Sequence, residues 1–91
     1  MKISWSPEAA VDFLGIVEYI RAENPSAANR IAHTIYDSIA LLERFPERGR
    51  RGRLDDTREL VLVPLPFIIV YRLKQNLVEI TRVLHGSQRW P

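Results

Sequence analysis

The sequence predicts an α+β fold in which an antiparallel helical hairpin packs on one face of a mainly antiparallel four-stranded sheet. The first half carries apolar residues at helical spacing, the second half carries three strand-like runs, and a short strand-like segment precedes the helices. Both helical stripes and the sheet are buried only when the hairpin lies across one sheet face. We expect the 91 residues to form a single domain of this kind, residues 1–91.

The first helix is predicted to run from Pro7 to Glu23, after an N-terminal strand around Trp5. Ser6 can cap the free amides at the helix start, where a proline costs no hydrogen bond. The helix ends before Asn24-Pro25 because a residue that precedes proline disfavours helical backbone angles. Its apolar side is formed by Ala9, Phe13, Ile16, Val17 and Ile20, and its solvent side by Asp12, Glu18 and Arg21.

The second helix is predicted to start with Asn24 or Ser26 as its cap and to end at Phe45-Pro46. A link this short between two apolar stripes implies that the helices are antiparallel neighbours. The second stripe also has helical spacing and consists of Ala28, Ile31, Ala32, Ile35, Ile39 and Leu42.

Three strands are predicted over residues 60–63, 67–73 and 77–84, separated by turn-forming residues at 64–66 and 74–76. The middle run is almost continuously apolar and rich in β-branched and aromatic side chains, so we expect a central strand. The sheet face away from the helices is expected to stay open. It would then form one concave surface with the arginine-rich loop and the C-terminal tail.

A basic segment, residues 44–58, joins the helical half to the strand-forming half. It contains four closely spaced arginines with two glycines and no acid among them, although the net charge of the whole chain is only +2. Guanidinium groups make paired hydrogen bonds to phosphate or carboxylate, which suits nucleic acid or an acidic protein segment. The alternative is a solvated loop whose charge keeps the protein soluble. The candidate binding residues are Arg48, Arg50, Arg51, Arg53 and Arg58.

His85 and Arg82, at the end of the last strand, are the candidate catalytic residues. A histidine at this position is either a turn residue or buried hydrogen-bonder, or a general acid or base. Arg82 has the strand parity of the apolar residues Val78, Ile80 and Leu84. Either its tip reaches water or it forms part of a site on the sheet.

Four further residues are candidates for binding nucleic acid or a partner. Tyr71 and Arg72 are neighbours in the central strand, so their side chains point to opposite sheet faces and one of them should reach the open face. Arg89 and Trp90 lie at the C-terminus, where a large aromatic ring either packs on the domain edge or contributes to an interface.

Several classes of function are excluded or disfavoured by composition. The chain has no cysteine and two histidines, so disulfides, thiolate chemistry and zinc sites of the usual kind are not expected. It contains no phosphate-binding loop, dinucleotide fingerprint or nucleophile elbow, and we expect no cofactor. No apolar run approaches the length of a membrane span and no signal peptide is recognisable, so we expect a cytoplasmic protein without a membrane partner.

The order and spacing of several short motifs resemble the RelE/ParE superfamily of bacterial type II toxins over nearly the whole chain. The matching residues are Trp5-Ser6-Pro7-Glu8-Ala9, Asp12, Ile16, Tyr19-Ile20, Pro46, Gly49-Arg50, Tyr71-Arg72, Val78-Glu79-Ile80 and Arg82-Val83-Leu84-His85-Gly86. The resemblance implies a toxin that a cognate antitoxin holds inactive in a hetero-oligomer.

Members of this superfamily divide by target: ParE-like toxins inhibit DNA gyrase, and RelE-like toxins cut messenger RNA on the ribosome. Cleaving relatives often carry an arginine where this chain has Ile68, and some carry lysines where its loop has arginines. The ParE-like function is therefore slightly favoured. The alternatives are a RelE-like endoribonuclease that uses His85 and Arg82, and a non-toxic basic binding module.

Overall fold

The computed structural model describes residues 1–91 and confirms the predicted α+β class. Its helices and strands, in chain order, are β1 (Lys2–Trp5), α1 (Pro7–Glu23), α2 (Pro25–Ala40), β2 (Arg50–Arg51), β3 (Arg58–Val61), β4 (Phe67–Lys74) and β5 (Leu77–His85). The strands form one sheet in the order β1-β5-β4-β3-β2, in which only β1 and β5 are parallel.

Side-chain caps set the starts of both helices. The Ala9 amide donates to Ser6 Oγ at 3.0 Å, and the Ala27 amide donates to Asn24 Oδ1 at 3.1 Å. Helix α1 has the predicted bounds, whereas α2 ends at Ala40 and continues as a 3₁₀ turn, Leu41–Glu43. The tighter turn begins before the predicted end at Phe45-Pro46, and a turn of this kind is common at helix ends. Neither helix combines the length and the apolar composition that a membrane crossing requires.

The sheet has five strands instead of the four that were predicted. The additional strand, β2, lies inside the basic segment and pairs Arg50 with Glu59 and Arg51 with Arg58. Strand β3 accordingly begins at Arg58, two residues before the predicted start at residue 60. Arginine and glycine carry no strand signal of their own, so this pairing depends on contacts between the two segments.

The core lies between the helices and one face of the sheet, which we call the helix face. Strand β4 contributes alternate residues to it, as expected for a pleated sheet with one covered face, and β5 does so as far as Ile80. The residues of these two strands in the core are Phe67, Ile69, Tyr71, Val78, Ile80 and Val83, and α2 contributes Ile35 and Ile39. The opposite face is called the outer face below.

A β-bulge at Thr81 corrects the predicted orientation of Arg82. Tyr71 pairs with Ile80, but the preceding residue Val70 pairs with Arg82, so Thr81 is left without a partner. One extra residue reverses the side-chain alternation from that point onward. Arg82 therefore lies on the outer face, and not in line with Ile80 as strand parity predicted.

Candidate functional site on the outer face

One row of side chains crosses the outer face over four strands. Arg50 of β2 pairs with Glu59 of β3, Glu59 pairs with Val70 of β4, and Val70 pairs with Arg82 of β5. These four residues are called the outer row. The register thus places two arginines, predicted as separate candidates 32 positions apart, on the same face with an acid between them.

The buried carboxylate of Glu59 holds the basic segment in place through hydrogen bonds. Its side chain is 2% exposed, and its carboxylate accepts hydrogen bonds from Arg50 Nη2 and the Arg53 amide, both at 3.0 Å. Burial would raise the pKa of this carboxyl, but the hydrogen bonds and the two positive charges together lower it below its ordinary value of 4.5. Glu59 was not among the predicted site residues, because a lone acid in a short strand gives no local sign of burial.

Replacement of Glu59 by glutamine should destabilise the protein at pH 7 by about 1–2 kcal/mol, because a charge-assisted pair is lost. A lowered pKa in the folded state means that the carboxylate stabilises the protein above its ordinary value of 4.5 and loses this effect as pH falls through the folded value. Urea unfolding of both proteins between pH 7 and about pH 3 should therefore show the difference shrinking in acid. A pH-independent difference would contradict the assignment.

Asp12 of α1 holds Arg82 at the edge of strand β5. Arg82 Nε and Nη2 donate to the two carboxylate oxygens of Asp12 at 2.7 and 3.0 Å, and the Val83 amide donates to Asp12 Oδ2 at 3.0 Å. The side-chain hydrogen bond to Asp12 raises the pKa of the Arg82 guanidinium. Asp12 was predicted on the solvent side of its helix, but its side chain is only 15% exposed.

The C-terminal tail lies across the outer row, which corrects the expectation that this face stays open. The Trp90 carbonyl accepts a hydrogen bond from Arg53 Nη1, and the Trp90 ring lies 5.7 Å from the Arg82 guanidinium carbon. This distance is within the range of a cation–π contact. Val70 and Leu84, whose register places them on the outer face, are buried.

The strand register decides which of Tyr71 and Arg72 reaches the outer face. Tyr71 lies fully buried on the helix face, where its hydroxyl accepts from the Gly49 amide at 2.8 Å and donates to the Pro46 carbonyl at 2.7 Å. Burial raises the pKa of this phenol, which keeps the donated proton in place. Arg72 lies on the outer face and forms an ion pair with Glu79 at 3.2 Å.

The other candidates divide into engaged and free side chains. Arg58 is engaged, since its Nη1 donates to the carbonyls of Glu47 and Gly49 at 3.2 and 2.9 Å. Three candidate arginines are exposed and form no ion pair or side-chain hydrogen bond: Arg48, Arg51 and Arg89. No group of three potential metal ligands is present.

His85 and Arg82 do not come together. His85 pairs with Phe67, and the two rings lie 5.7 Å apart in an edge-on contact on the helix side, whereas Arg82 lies on the outer face. His85 Nδ1 accepts a hydrogen bond from the Ser87 amide at 3.1 Å. The arrangement brings together Arg50, Arg53, Arg82 and Trp90, which suits binding of an anionic or aromatic partner group, and leaves the imidazole apart from them.

The family model described as the ParE toxin of the type II toxin–antitoxin system, parDE, matches residues 3–90. A putative toxin of Sinorhizobium fredii, Y4kP, is 40% identical over 90 residues, which cover 99% of this chain and 93% of that protein. Toxin RelE2 of Caulobacter vibrioides is 36% identical over 87 residues, covering 96% and 97% of the two chains.

Two solved structures have a similar fold. A chain from the chromosomal ParDE toxin–antitoxin system of P. aeruginosa superposes with a TM-score of 0.87 at 23% identity, covering 96% of this chain and 97% of that one. The YoeB/ParE toxin from Agrobacterium tumefaciens gives a TM-score of 0.66 at 18% identity, covering 93% and 98%. At these identities the similarity supports the fold alone.

Proposed function

This chain belongs to the ParE toxin family of type II toxin–antitoxin systems, within the RelE/ParE superfamily, and we propose that it acts by binding and inhibiting DNA gyrase. The observation that carries the proposal is the separation of His85 from Arg82 by the sheet. Cleavage of RNA without a metal needs a general base beside the cations that stabilise the phosphate. Binding of a protein target needs no such pair.

The apolar composition of the outer face also favours a binding function over a catalytic one. Ile68, at the position where cleaving relatives often carry an arginine, lies between Val61 of β3 and Leu84 of β5 in an apolar row next to the outer row. Leu84 in this row is already buried, whereas Val61 is exposed, and an exposed apolar side chain close to arginines is typical of protein interfaces. The exposed cations of the basic segment would then contact acidic side chains of the target.

A gyrase supercoiling assay with purified protein tests the proposal. We expect loss of supercoiling and accumulation of cleaved DNA, and about tenfold weaker inhibition by Arg53→Ala, since a charge-assisted contact of this kind is worth about one factor of ten. Arg21→Ala, which removes an exposed arginine on α1 away from the outer face, is the matched control. Gyrase that is unaffected at large toxin excess would exclude this target.

The second candidate is a ribosome-dependent endoribonuclease, which is favoured by the 36% identity to a relative named RelE2. Intact transcripts after induction, or full toxicity of both His85→Ala and Arg82→Ala, would argue against it. Under either function we infer that a cognate antitoxin neutralises the toxin by direct binding in a hetero-oligomer, and that the toxin acts in the cytoplasm, where both targets lie. Normal growth after induced expression without the neighbouring open reading frame would instead indicate a non-toxic binding module.

A further inference from the structure

The C-terminal tail, residues 86–91, is anchored at its start and loosely held at its far end. The Gly86 amide donates to the Pro66 carbonyl at 2.7 Å, which fixes the point where the tail leaves β5. At the far end the only hydrogen bond runs from Arg53 Nη1 to the Trp90 carbonyl. The residues on either side of Trp90 are exposed. Trp90 is thus the single point that holds the far end of the tail on the outer face.

Two arginines form the surface on which Trp90 lies, and we call them the Trp90 seat. Arg53 is held by its backbone, since its amide donates to the buried Glu59 carboxylate at 3.0 Å. Arg82 is held by its guanidinium, which donates to both carboxylate oxygens of Asp12. Those bonds occupy the edge of the Arg82 guanidinium and leave its face to the Trp90 ring. Neither anchor involves the tail, so the seat remains formed when the tail leaves it.

The indole N–H of Trp90 has no partner in this position. Its Nε1 atom is buried and forms no hydrogen bond. A buried donor without an acceptor loses the hydrogen bond that water supplies elsewhere, and tryptophan usually finds a partner when it is buried. The Trp90 carbonyl is, moreover, a neutral acceptor for Arg53, and a guanidinium binds a carboxylate more strongly. Trp90 therefore fits the seat imperfectly, and a better matched group can displace it.

The two contacts of Trp90 define the chemistry of such a group. Arg82 takes an aromatic ring on its face, and Arg53 donates to an oxygen atom. A single residue of the tail supplies both, so a competing ligand needs its ring and its oxygen within one residue or two neighbouring ones. A carboxylate in place of the carbonyl strengthens the contact with Arg53. The seat therefore matches an aromatic side chain next to a carboxylate.

We propose that Arg53 and Arg82 receive an aromatic side chain with an adjacent carboxylate from the target protein, and that Trp90 is an internal competitor for this seat. In the free toxin the tail covers the seat for most of the time. The target binds when the tail lifts, so its apparent affinity is reduced by the fraction of molecules that are open. The inference rests on the proposed binding of a protein target, and it names both the recognised group and the contact that restrains the toxin.

Tryptophan fluorescence tests the seat without any target protein. The chain has two tryptophans, so Trp5→Phe leaves Trp90 as the only one. N-acetyl-L-phenylalanine, which carries a ring and a carboxylate on one residue, should displace Trp90, shift its emission to the red and make it more accessible to acrylamide. The neutral amide of this compound should bind about fivefold more weakly, and N-acetyl-L-leucine, which lacks the ring, should not displace Trp90. Unchanged emission, or equal effects of the three compounds, would overturn the proposal.

The gyrase supercoiling assay tests the restraint. Trp90→Ala should inhibit gyrase about tenfold more strongly than the wild type, as expected when an open state of about 10% becomes fully populated. Trp90→Phe is the matched control, because it keeps a ring for Arg82 and removes the unpaired N–H, and it should inhibit like the wild type. Unchanged or weaker inhibition by Trp90→Ala would show that the tail does not restrain the toxin and would overturn the proposal.

Two further outcomes separate this inference from its neighbours. Gyrase that is unaffected by the wild type and by both Trp90 variants would refute that target alone, because displacement of Trp90 by N-acetyl-L-phenylalanine still decides the chemistry of the seat. Thymidine 5′-monophosphate, which also combines a ring with an anion, is the nucleic-acid probe of matched size. If it displaces Trp90 at lower concentration than N-acetyl-L-phenylalanine does, the seat belongs to a nucleic acid and the proposal is overturned.

Discussion

Replacement of Gly49 by alanine is expected to destabilise the protein by about 3 kcal/mol, the upper end of the cost of forcing an extra methyl group into a packed core. A Cβ atom at this position would lie 2.7 Å from the hydroxyl oxygen of Tyr71 and 2.8 Å from its Cε1 atom. Both distances are far below normal van der Waals contact. The steric conflict alone requires glycine here, since its φ is not positive.

Tyr71 cannot move aside to admit the methyl group. Its side chain is fully buried, and its hydroxyl is held by the Gly49 amide at 2.8 Å and the Pro46 carbonyl at 2.7 Å. A shift of the ring would break both bonds and disturb the central strand. The basic segment would also lose its attachment to the core, so we expect weaker partner binding together with the loss of stability.

Gly15 provides the matched control for this substitution. It lies on the exposed side of α1, and a Cβ atom there meets nothing within 4 Å. Alanine at this position should stabilise the protein by about 0.5–1 kcal/mol, because it favours the helix without any steric conflict. Urea unfolding of the two variants should therefore shift in opposite directions, and similar midpoints for Gly49→Ala and the wild type would contradict the packing described for Tyr71.

Asp12→Ala has the second largest expected effect, about 2–3 kcal/mol of lost stability. The substitution leaves the partly buried Arg82 guanidinium without its two hydrogen-bond acceptors, and it leaves the Val83 amide without a partner. We expect a smaller loss of stability than for a fully buried ion pair, because the Arg82 side chain is 33% exposed. Strand β1 pairs with β5 only as far as Ile80. The substitution would therefore also remove the Asp12 carboxylate that contacts the next part of the β5 edge, at the Val83 amide.

A double-mutant cycle with Arg82→Ala separates the ion pair from the edge contact. Arg82→Ala alone should cost less, about 1–2 kcal/mol, because Asp12 still accepts from the Val83 amide. Glu18→Ala is the control, since this exposed acid on the same helix forms no ion pair and should change stability by less than about 0.5 kcal/mol. If the stability losses of the two single variants add up to the loss of the double variant, the Asp12–Arg82 ion pair contributes nothing to stability.

Local signals account for the parts of the fold that were predicted well. The caps Ser6 and Asn24 and the two prolines that follow them define both helix starts within a few residues of sequence. The apolar run from Phe67 marks the central strand for the same reason. Motif order was also sufficient to indicate the toxin superfamily, because the motifs are spread along nearly the whole chain.

The candidate site was predicted less completely. Its arginines were identified by composition, but the partners that hold them were not: Asp12 is 70 positions from Arg82, and Trp90 is 37 positions from Arg53. Side-chain parity failed for Arg82 because the bulge at Thr81 has no sequence signature of its own. The burial of Glu59 likewise depends on strand β2, which appears only when the basic segment meets β3.

The sequence by itself therefore determined the helices, the central strand, the class of fold and the toxin superfamily, since each depends on residues close together or on the order of motifs. The tertiary structure alone decided which face Arg82 and Tyr71 occupy, which arginines are free, and that the C-terminal tail covers the outer row. These outcomes depend on strand register and on contacts between distant segments. A change of one residue in register moves a side chain to the opposite face, and no local pattern encodes that choice.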